Sequence, residues 1–130
     1  MFALKDRARD SAPLPASELG RGLNVTGHLQ TEGELVVLGR VRGRIDADLL
    51  VVADGADVEA DVMAREVRVA GRFTGRIFAV TVALEDGAQV AGRIFHHIVS
   101  VARGARFEGR MPWRPPQYFE SLTELPETQP

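Results

Sequence analysis

The stretch VRGRI at residues 41–45 has an apolar residue at each end and a small residue at its centre. This apolar–x–small–x–apolar pattern occurs six times, in copies that begin at Val25, Val41, Val58, Phe73, Val90 and Phe107. The central small residues are at positions 27, 43, 60, 75, 92 and 109, so successive copies are separated by 16, 17, 15, 17 and 17 residues. Such regular spacing indicates a repeat protein in which one short unit is stacked six times.

A second apolar element recurs along the chain with the same period as the first. Pairs of apolar residues follow seven and nine positions after the small residue of the four middle copies: Leu50 and Val52, Val67 and Val69, Val82 and Leu84, Val99 and Val101. In the first copy the pair, Leu35 and Val37, comes one position later. Turn signals such as Asp54-Gly55 and Asp86-Gly87 separate the two elements. Alternation rich in Val and Ile and interrupted by glycine predicts short strands.

Sixteen or seventeen residues are too few for a strand, a helix and two loops, but they suffice for one narrow triangular coil. Alternation places Val41, Gly43 and Ile45 inward and Arg42 and Arg44 outward. We attribute the small central residue to crowding across the narrow coil, where a large side chain would collide with the opposite sides. We therefore predict an all-β fold, a parallel β-helix (solenoid) of about six short coils. A β-sandwich would explain the strand density but not the spacing of the small residues.

The repeat divides the chain into three parts. Residues 22–113 are predicted to form the β-solenoid, residues 1–21 a flexible N-terminal arm, and residues 114–130 a flexible, proline-containing acidic tail. In the tail, the stretch 118–125 is expected to form one helical turn or to bind a partner. Trp113 is expected to fold over the open end of the core, because solenoids need a cap there.

The tip of the N-terminal arm combines apolar and basic side chains. Met1, Phe2 and Leu4 lie beside Lys5, and this combination suits contact with an anionic membrane surface. Three apolar side chains give only weak, reversible binding unless many copies act together. A simple flexible terminus is the alternative interpretation.

Bulk composition excludes several classes of protein. The 130 residues contain no cysteine, so neither a disulfide framework nor a thiolate metal site is expected. The formal net charge of −2 and the lack of aromatic residues among the arginines argue against nucleic acid as a partner. No apolar run reaches the length of a membrane-spanning helix, and the N-terminus lacks the apolar core of a signal peptide. A cytoplasmic location is expected.

The outward positions form charged rows along the predicted rod. Arg40, Asp57 and Arg72 alternate in sign in one row, which favours stacking of adjacent coils. Another row ends in three consecutive arginines, Arg76, Arg93 and Arg110. We interpret this arginine row as a solvated face. The alternative is a solenoid adaptor that binds an acidic partner through it.

Taken together, the chain resembles the bactofilin family of bacterial cytoskeletal proteins. The resemblance rests on the six coils from about Leu23 to Met111, on the proline-bearing tails and on the N-terminal Met-Phe with nearby basic residues. It implies a right-handed parallel β-helix that polymerises with itself, end to end and without nucleotide, into non-polar filaments. It also implies attachment to the inner face of the cell membrane and the localisation of cell-wall or morphogenesis proteins.

An enzyme is not predicted, and no catalytic, cofactor-binding or metal site is assigned. The alternative from that class is a left-handed β-helix acyltransferase, whose six-residue repeat gives 18 residues per coil and is broken by steps of 15 and 16. Such an enzyme needs a histidine as general base, and the candidates are His28, His96 and His97. Adjacent strand residues point to opposite faces, so His96 and His97 do not form a pair.

If the chain polymerises, its contacts should lie in the two end coils, where apolar residues have a neighbouring coil on one side only. In the first coil these residues are Leu23, Val25 and Leu29. In the last coil they are Val99, Val101, Phe107 and Met111. These seven residues are the predicted polymerisation interface.

Overall fold

A computed structural model describes residues 16–120 as ten β-strands and one short helix. The strands are β1 (Ala16–Leu19), β2 (Asn24–Gln30), β3 (Glu34–Val37), β4 (Arg40–Asp46), β5 (Leu49–Val52), β6 (Asp57–Val69), β7 (Arg72–Leu84), β8 (Gln89–Phe95), β9 (Ile98–Val101) and β10 (Arg106–Arg110). The helix is α1 (Pro116–Glu120). All strands belong to one continuous parallel sheet that winds into a β-solenoid of about six turns, and the predicted fold is confirmed.

Each strand pairs with the strands that occupy the same place in the coils before and after it. Gly27 lies opposite Gly43, Gly43 opposite Ala60, and Ala60 opposite Gly75. The same register continues through Gly92 to Gly109. The uneven steps of 15 to 17 residues are absorbed in the turns, so the repeated positions remain aligned.

The interior of the solenoid is the set of apolar residues that alternation turns inward. Val41, Ile45, Leu50 and Val52 are fully buried, as are their equivalents in β6 and β7. Each coil thus contributes four inward apolar positions, two on each of two sides. One continuous apolar core therefore runs along the rod, and most of it is formed by β-branched side chains at in-register positions.

The small central residue has a different cause from the one predicted. A Cβ atom on Gly43 would run into the backbone carbonyl of Gly27 in the preceding coil, and one on Gly75 would meet the carbonyl of Ala60. Gly43 also has φ of 129°, a conformation that side chains rarely adopt. Crowding therefore comes from the backbone of the neighbouring coil along the rod, and not from the opposite side of the same coil.

Two of the described elements lie outside residues 22–113, the predicted solenoid. Strand β1 lies within the predicted arm and pairs with β3, so that Ser17 faces Leu35 and Leu19 faces Val37. Residues 114–120 were assigned to a flexible tail, but they include α1, which packs against β7. The membrane-contact residues Met1, Phe2, Leu4 and Lys5 lie outside the described residues, as do residues 121–130.

Trp113 does not cover the end of the core. It forms an isolated parallel bridge with His96, its ring centroid is 5.6 Å from that of His97, and it remains 56% exposed. Within the part of the chain that the structure describes, the last coil is therefore not covered by Trp113 or by α1.

Candidate functional site: the two ends of the solenoid

At the N-terminal end, apolar residues that would be buried in an interior coil are partly open to solvent. Val25 and Leu29 are half-buried, whereas their partners in the next coil, Val41 and Ile45, are fully buried. Leu23 is 48% exposed in the turn that precedes β2. The structure therefore brings all three predicted residues to this end.

The C-terminal end is also apolar and more exposed. Phe107, Met111 and Val99 are half-buried against the core, and Val101 is 51% exposed. Phe107 stacks on Val90, which is almost fully buried because it has a coil on both sides. The four residues predicted here thus lie together on one terminal surface.

Sequence reasoning missed one apolar residue at the N-terminal end. Leu19 of β1 packs partly buried against the core and continues the row that begins with Val37 and Val52. A signal was present, since Leu19 precedes Gly22 by three residues just as Val52 precedes Gly55, and both glycines have a positive φ near 90°. Strand β1 was overlooked because no apolar–x–small–x–apolar stretch precedes it in the sequence.

Both ends expose the edge of a strand stack. Among residues 16–120, β10 pairs only with β8, β2 pairs only with β4, and β1 pairs only with β3. Each of these strands therefore presents one row of backbone N–H and C=O groups without a strand partner. Such an edge is a template for pairing with another chain.

The glycine row shows that the N-terminal end is shaped to receive a further coil. Among the atoms of residues 16–120, none would lie within 4 Å of a Cβ on Gly27, although the same direction from Gly43 is filled by the carbonyl of Gly27. The space in front of Gly27 is therefore the space that the backbone of a preceding coil would occupy.

Ion pairs between coils line the sides of the rod. Arg42 donates to Glu59 in the next coil at 2.7 Å, and Arg76 donates to both carboxylate oxygens of Asp61 at 3.1 Å. A hydrogen bond with Glu66 raises the pKa of Arg68 above its usual value. Within residues 16–120, four arginines on the sides are paired with carboxylates of the same chain: Arg42, Arg44, Arg68 and Arg76.

This pairing revises the interpretation of the arginine row. Arg76 is engaged with Asp61, so the three arginines are not equivalent. Arg93 is half-buried and Arg110 is exposed, and they stack directly on one another in adjacent coils. Among residues 16–120, only Arg76 of the three is therefore salt-bridged, while Arg93 and Arg110 place like charges side by side.

The three histidines occupy separate environments. His28 is exposed and 2.8 Å from the carboxylate of Asp46, His96 is buried at a corner, and His97 lies near the carbonyl of Arg114. The opposite orientation of His96 and His97 agrees with their different burial. Within residues 16–120, no three His, Asp or Glu side chains are placed to hold a metal ion.

Comparison with known proteins decides the family. The family model for bactofilin, described as polymer-forming cytoskeletal, matches residues 17–112. The chain belongs to the bactofilin family. The solid-state NMR structure of the cytoskeletal bactofilin BacA matches this bactofilin with a TM-score of 0.72 and 35% identity, over 77% of this chain and 97% of that one. No curated protein matches the chain. Neither alternative function is favoured by these similarities, and none of the helices described for this bactofilin is long and apolar enough to span a membrane.

The end surfaces of this bactofilin can be tested by placing a charge in the last coil. We expect Phe107→Arg to remain folded, with a melting temperature within about 5 °C of wild type, because Phe107 is already partly exposed. Burial of Phe107 at a contact would contribute about 1.5–3 kcal/mol, so its loss should raise the concentration needed for assembly at least about tenfold. Sedimentation measures the assembly, and circular dichroism measures the fold.

The matched control is Val58→Arg, which places the same charge in a fully buried interior coil. That variant should unfold or aggregate, because the charge would be desolvated and unpaired. Normal assembly of Phe107→Arg would show that the C-terminal coil is not a contact surface.

Proposed function

We propose that this bactofilin assembles end to end into filaments in which the strand stack continues from one chain to the next. The observation that carries the proposal is that, within residues 16–120, the apolar rows and strand edges at both ends have a neighbouring coil on one side only. The space beside Gly27, which no described residue fills, would accommodate the backbone of a neighbouring chain at the distance that separates two coils. The family description as polymer-forming supports self-association.

Assembly by this route requires no nucleotide. The contact surfaces are already formed in a single chain, since the terminal strands are held in register by the coils beneath them. Burial of apolar side chains and pairing of strand edges are favourable without a coupled reaction. The filament is therefore expected to form spontaneously in buffer.

The resemblance to the family implies non-polar filaments, in which like ends meet. Two copies of β10 paired antiparallel about Gly109 would place Phe107 opposite Met111 and Glu108 opposite Arg110. Apolar residues would then face apolar residues, and the two charged pairs across the contact would be of opposite sign. The charge pattern of β10 thus supports a contact between two C-terminal ends.

Attachment to an anionic membrane through Met1, Phe2, Leu4 and Lys5 is the second part of the proposal. Filament formation would array many copies of this weak apolar and basic tip, and avidity would then give stable binding at the inner face of the membrane. A membrane-bound filament would serve as a scaffold that localises cell-wall or morphogenesis proteins.

Filament formation is tested with purified protein in buffer without nucleotide, by negative-stain electron microscopy. Wild type should form filaments. Gly27→Ala should stay folded but lose contacts at the N-terminal end, because its new Cβ would occupy the space of the neighbouring backbone. In a non-polar filament the C-terminal contact survives, so Gly27→Ala should give dimers of twice 14.2 kDa by analytical ultracentrifugation. Val25→Arg, which keeps the glycine, should give the same species.

The control is Gly87→Ala. Gly87 also has a positive φ, so both substitutions carry a backbone cost of about 1–3 kcal/mol, but Gly87 lies in an interior turn and its Cβ would meet nothing closer than 3.7 Å. Filaments from Gly87→Ala and dimers from Gly27→Ala would support the proposal. Monomers from Gly27→Ala would indicate a polar filament, and full filaments would contradict a contact at this end.

Membrane attachment is tested by co-sedimentation with vesicles that contain an anionic phospholipid. We expect the double variant Phe2→Ala, Leu4→Ala to sediment at least about fivefold less than wild type, because both apolar anchors are removed. The double variant should still form filaments, which separates membrane binding from assembly. Equal sedimentation of the two proteins would refute the membrane proposal.

A further inference from the structure

One side of the last three coils carries an excess of positive charge. This side is formed by the first half of β7 together with β8 and β10, and its outward positions hold five arginines and one carboxylate, that of Glu108. Arg76 is paired with Asp61. The other four arginines have no carboxylate partner within residues 16–120 and are called the basic face: Arg72, Arg93, Arg106 and Arg110.

The basic face places like charges next to each other. Arg93 and Arg110 are in-register partners on adjacent strands, which lie about 4.8 Å apart. Like charges that lie directly opposite each other destabilise a sheet. In the second and third coils the same side of the rod instead pairs opposite charges, as where Arg42 donates to Glu59. The arginine pair therefore costs the chain stability, and an anion bound between the two guanidinium groups would offset that cost.

A depression in this side of the rod gives an anion access to the arginines. Arg72 and Arg106 line it from the fourth and the sixth coils, and Glu108 is the one carboxylate among its described lining residues. Other lining residues on the same strands are small or uncharged: Thr74, Gln89 and Ala91. Because the planar guanidinium group donates two parallel hydrogen bonds to a phosphate, the basic face suits phosphate groups.

The shape and composition of the basic face favour a membrane over nucleic acid as the source of phosphate. The three strands stack in register in one sheet, so arginines from three coils can contact a planar surface at the same time. Among the described residues, no exposed aromatic side chain lies at an outward position of these strands, so the face offers no stacking platform for bases.

We propose that the basic face binds the phosphate groups of an anionic lipid surface, so that this side of the rod faces the membrane. Each arginine at such a surface strengthens binding about fivefold. The second side of each coil, whose outward row includes Glu34 and Glu66, is then turned away from the lipid. The inference rests on the proposed function in that the chain works at a membrane, but the contact does not involve the N-terminal tip.

Vesicle flotation tests the basic face in the full chain, since filaments without lipid do not float. We expect Arg72→Gln, Arg93→Gln to bind vesicles of phosphatidylserine and phosphatidylcholine at least about tenfold more weakly than wild type, because two of the four arginines are removed. Binding of wild type should also weaken as the salt concentration rises. Equal binding by wild type and this variant, or no binding by either, would overturn the proposal.

The matched control is Arg65→Gln, Arg68→Gln, which removes the same charge from exposed positions of β6 outside the basic face. The control should bind the vesicles within about twofold of wild type, because neither arginine faces the lipid. A loss as large as that of the basic-face variant would show an effect of net charge alone and would contradict the proposal. Arg72→Lys, Arg93→Lys keeps the charge and should recover most of the binding.

Further measurements separate this contact from the N-terminal tip and from assembly. Weaker binding by Phe2→Ala, Leu4→Ala alone would keep the tip and refute the basic face, whereas weaker binding by Arg72→Gln, Arg93→Gln alone would do the reverse. The basic-face variant should form normal filaments and melt within about 5 °C of wild type, because both substitutions lie outside the core. Tighter binding of duplex DNA than of vesicles through the same two arginines, measured by fluorescence anisotropy, would overturn the proposal in favour of nucleic acid.

Discussion

The structure depends on the close approach of backbones at the glycine row. At Gly43, Gly75, Gly92 and Gly109, a Cβ atom would collide with the carbonyl of the coil before it. This constraint requires a small residue once per coil and fixes the register in which coils stack. Inward positions on either side of the row then line up as continuous apolar ladders, and outward positions line up as charged ladders. The core and the ion pairs follow from that alignment.

The same constraint connects the fold to assembly. A unit that stacks on a copy of itself inside one chain has no intrinsic reason to stop at the chain's ends. No described residue fills the space beside Gly27, and Val25 and Phe107 lie half-buried where interior equivalents are fully buried. The half-buried apolar rows at the two ends favour growth along the rod axis. In our proposal, apolar burial and strand pairing therefore hold coils together within the chain and hold chains together in the filament.

The repeat predicted most of the fold, because each coil contributes the same local pattern and six copies reinforce one another. For the same reason, the repeat predicted which apolar residues, such as Val25 and Phe107, lie at the two ends of the solenoid. It did not predict the packing of α1 against β7, because that contact joins the repeat to a segment that does not carry the repeat. The cause of the glycine row was also missed, since alternation shows which residues point inward but not how closely backbones approach along the rod. Strand β1 was missed because it is half a coil.

The most direct test of the account is the axial repeat of the filament, measured by fibre diffraction or electron cryomicroscopy. If the strand stack continues across the contacts, the 4.8 Å strand spacing should run unbroken through chain boundaries, and each chain should occupy about 29 Å of filament, six coils at that spacing. A break in the strand spacing at the boundaries, or a length per chain well above 29 Å, would contradict the account.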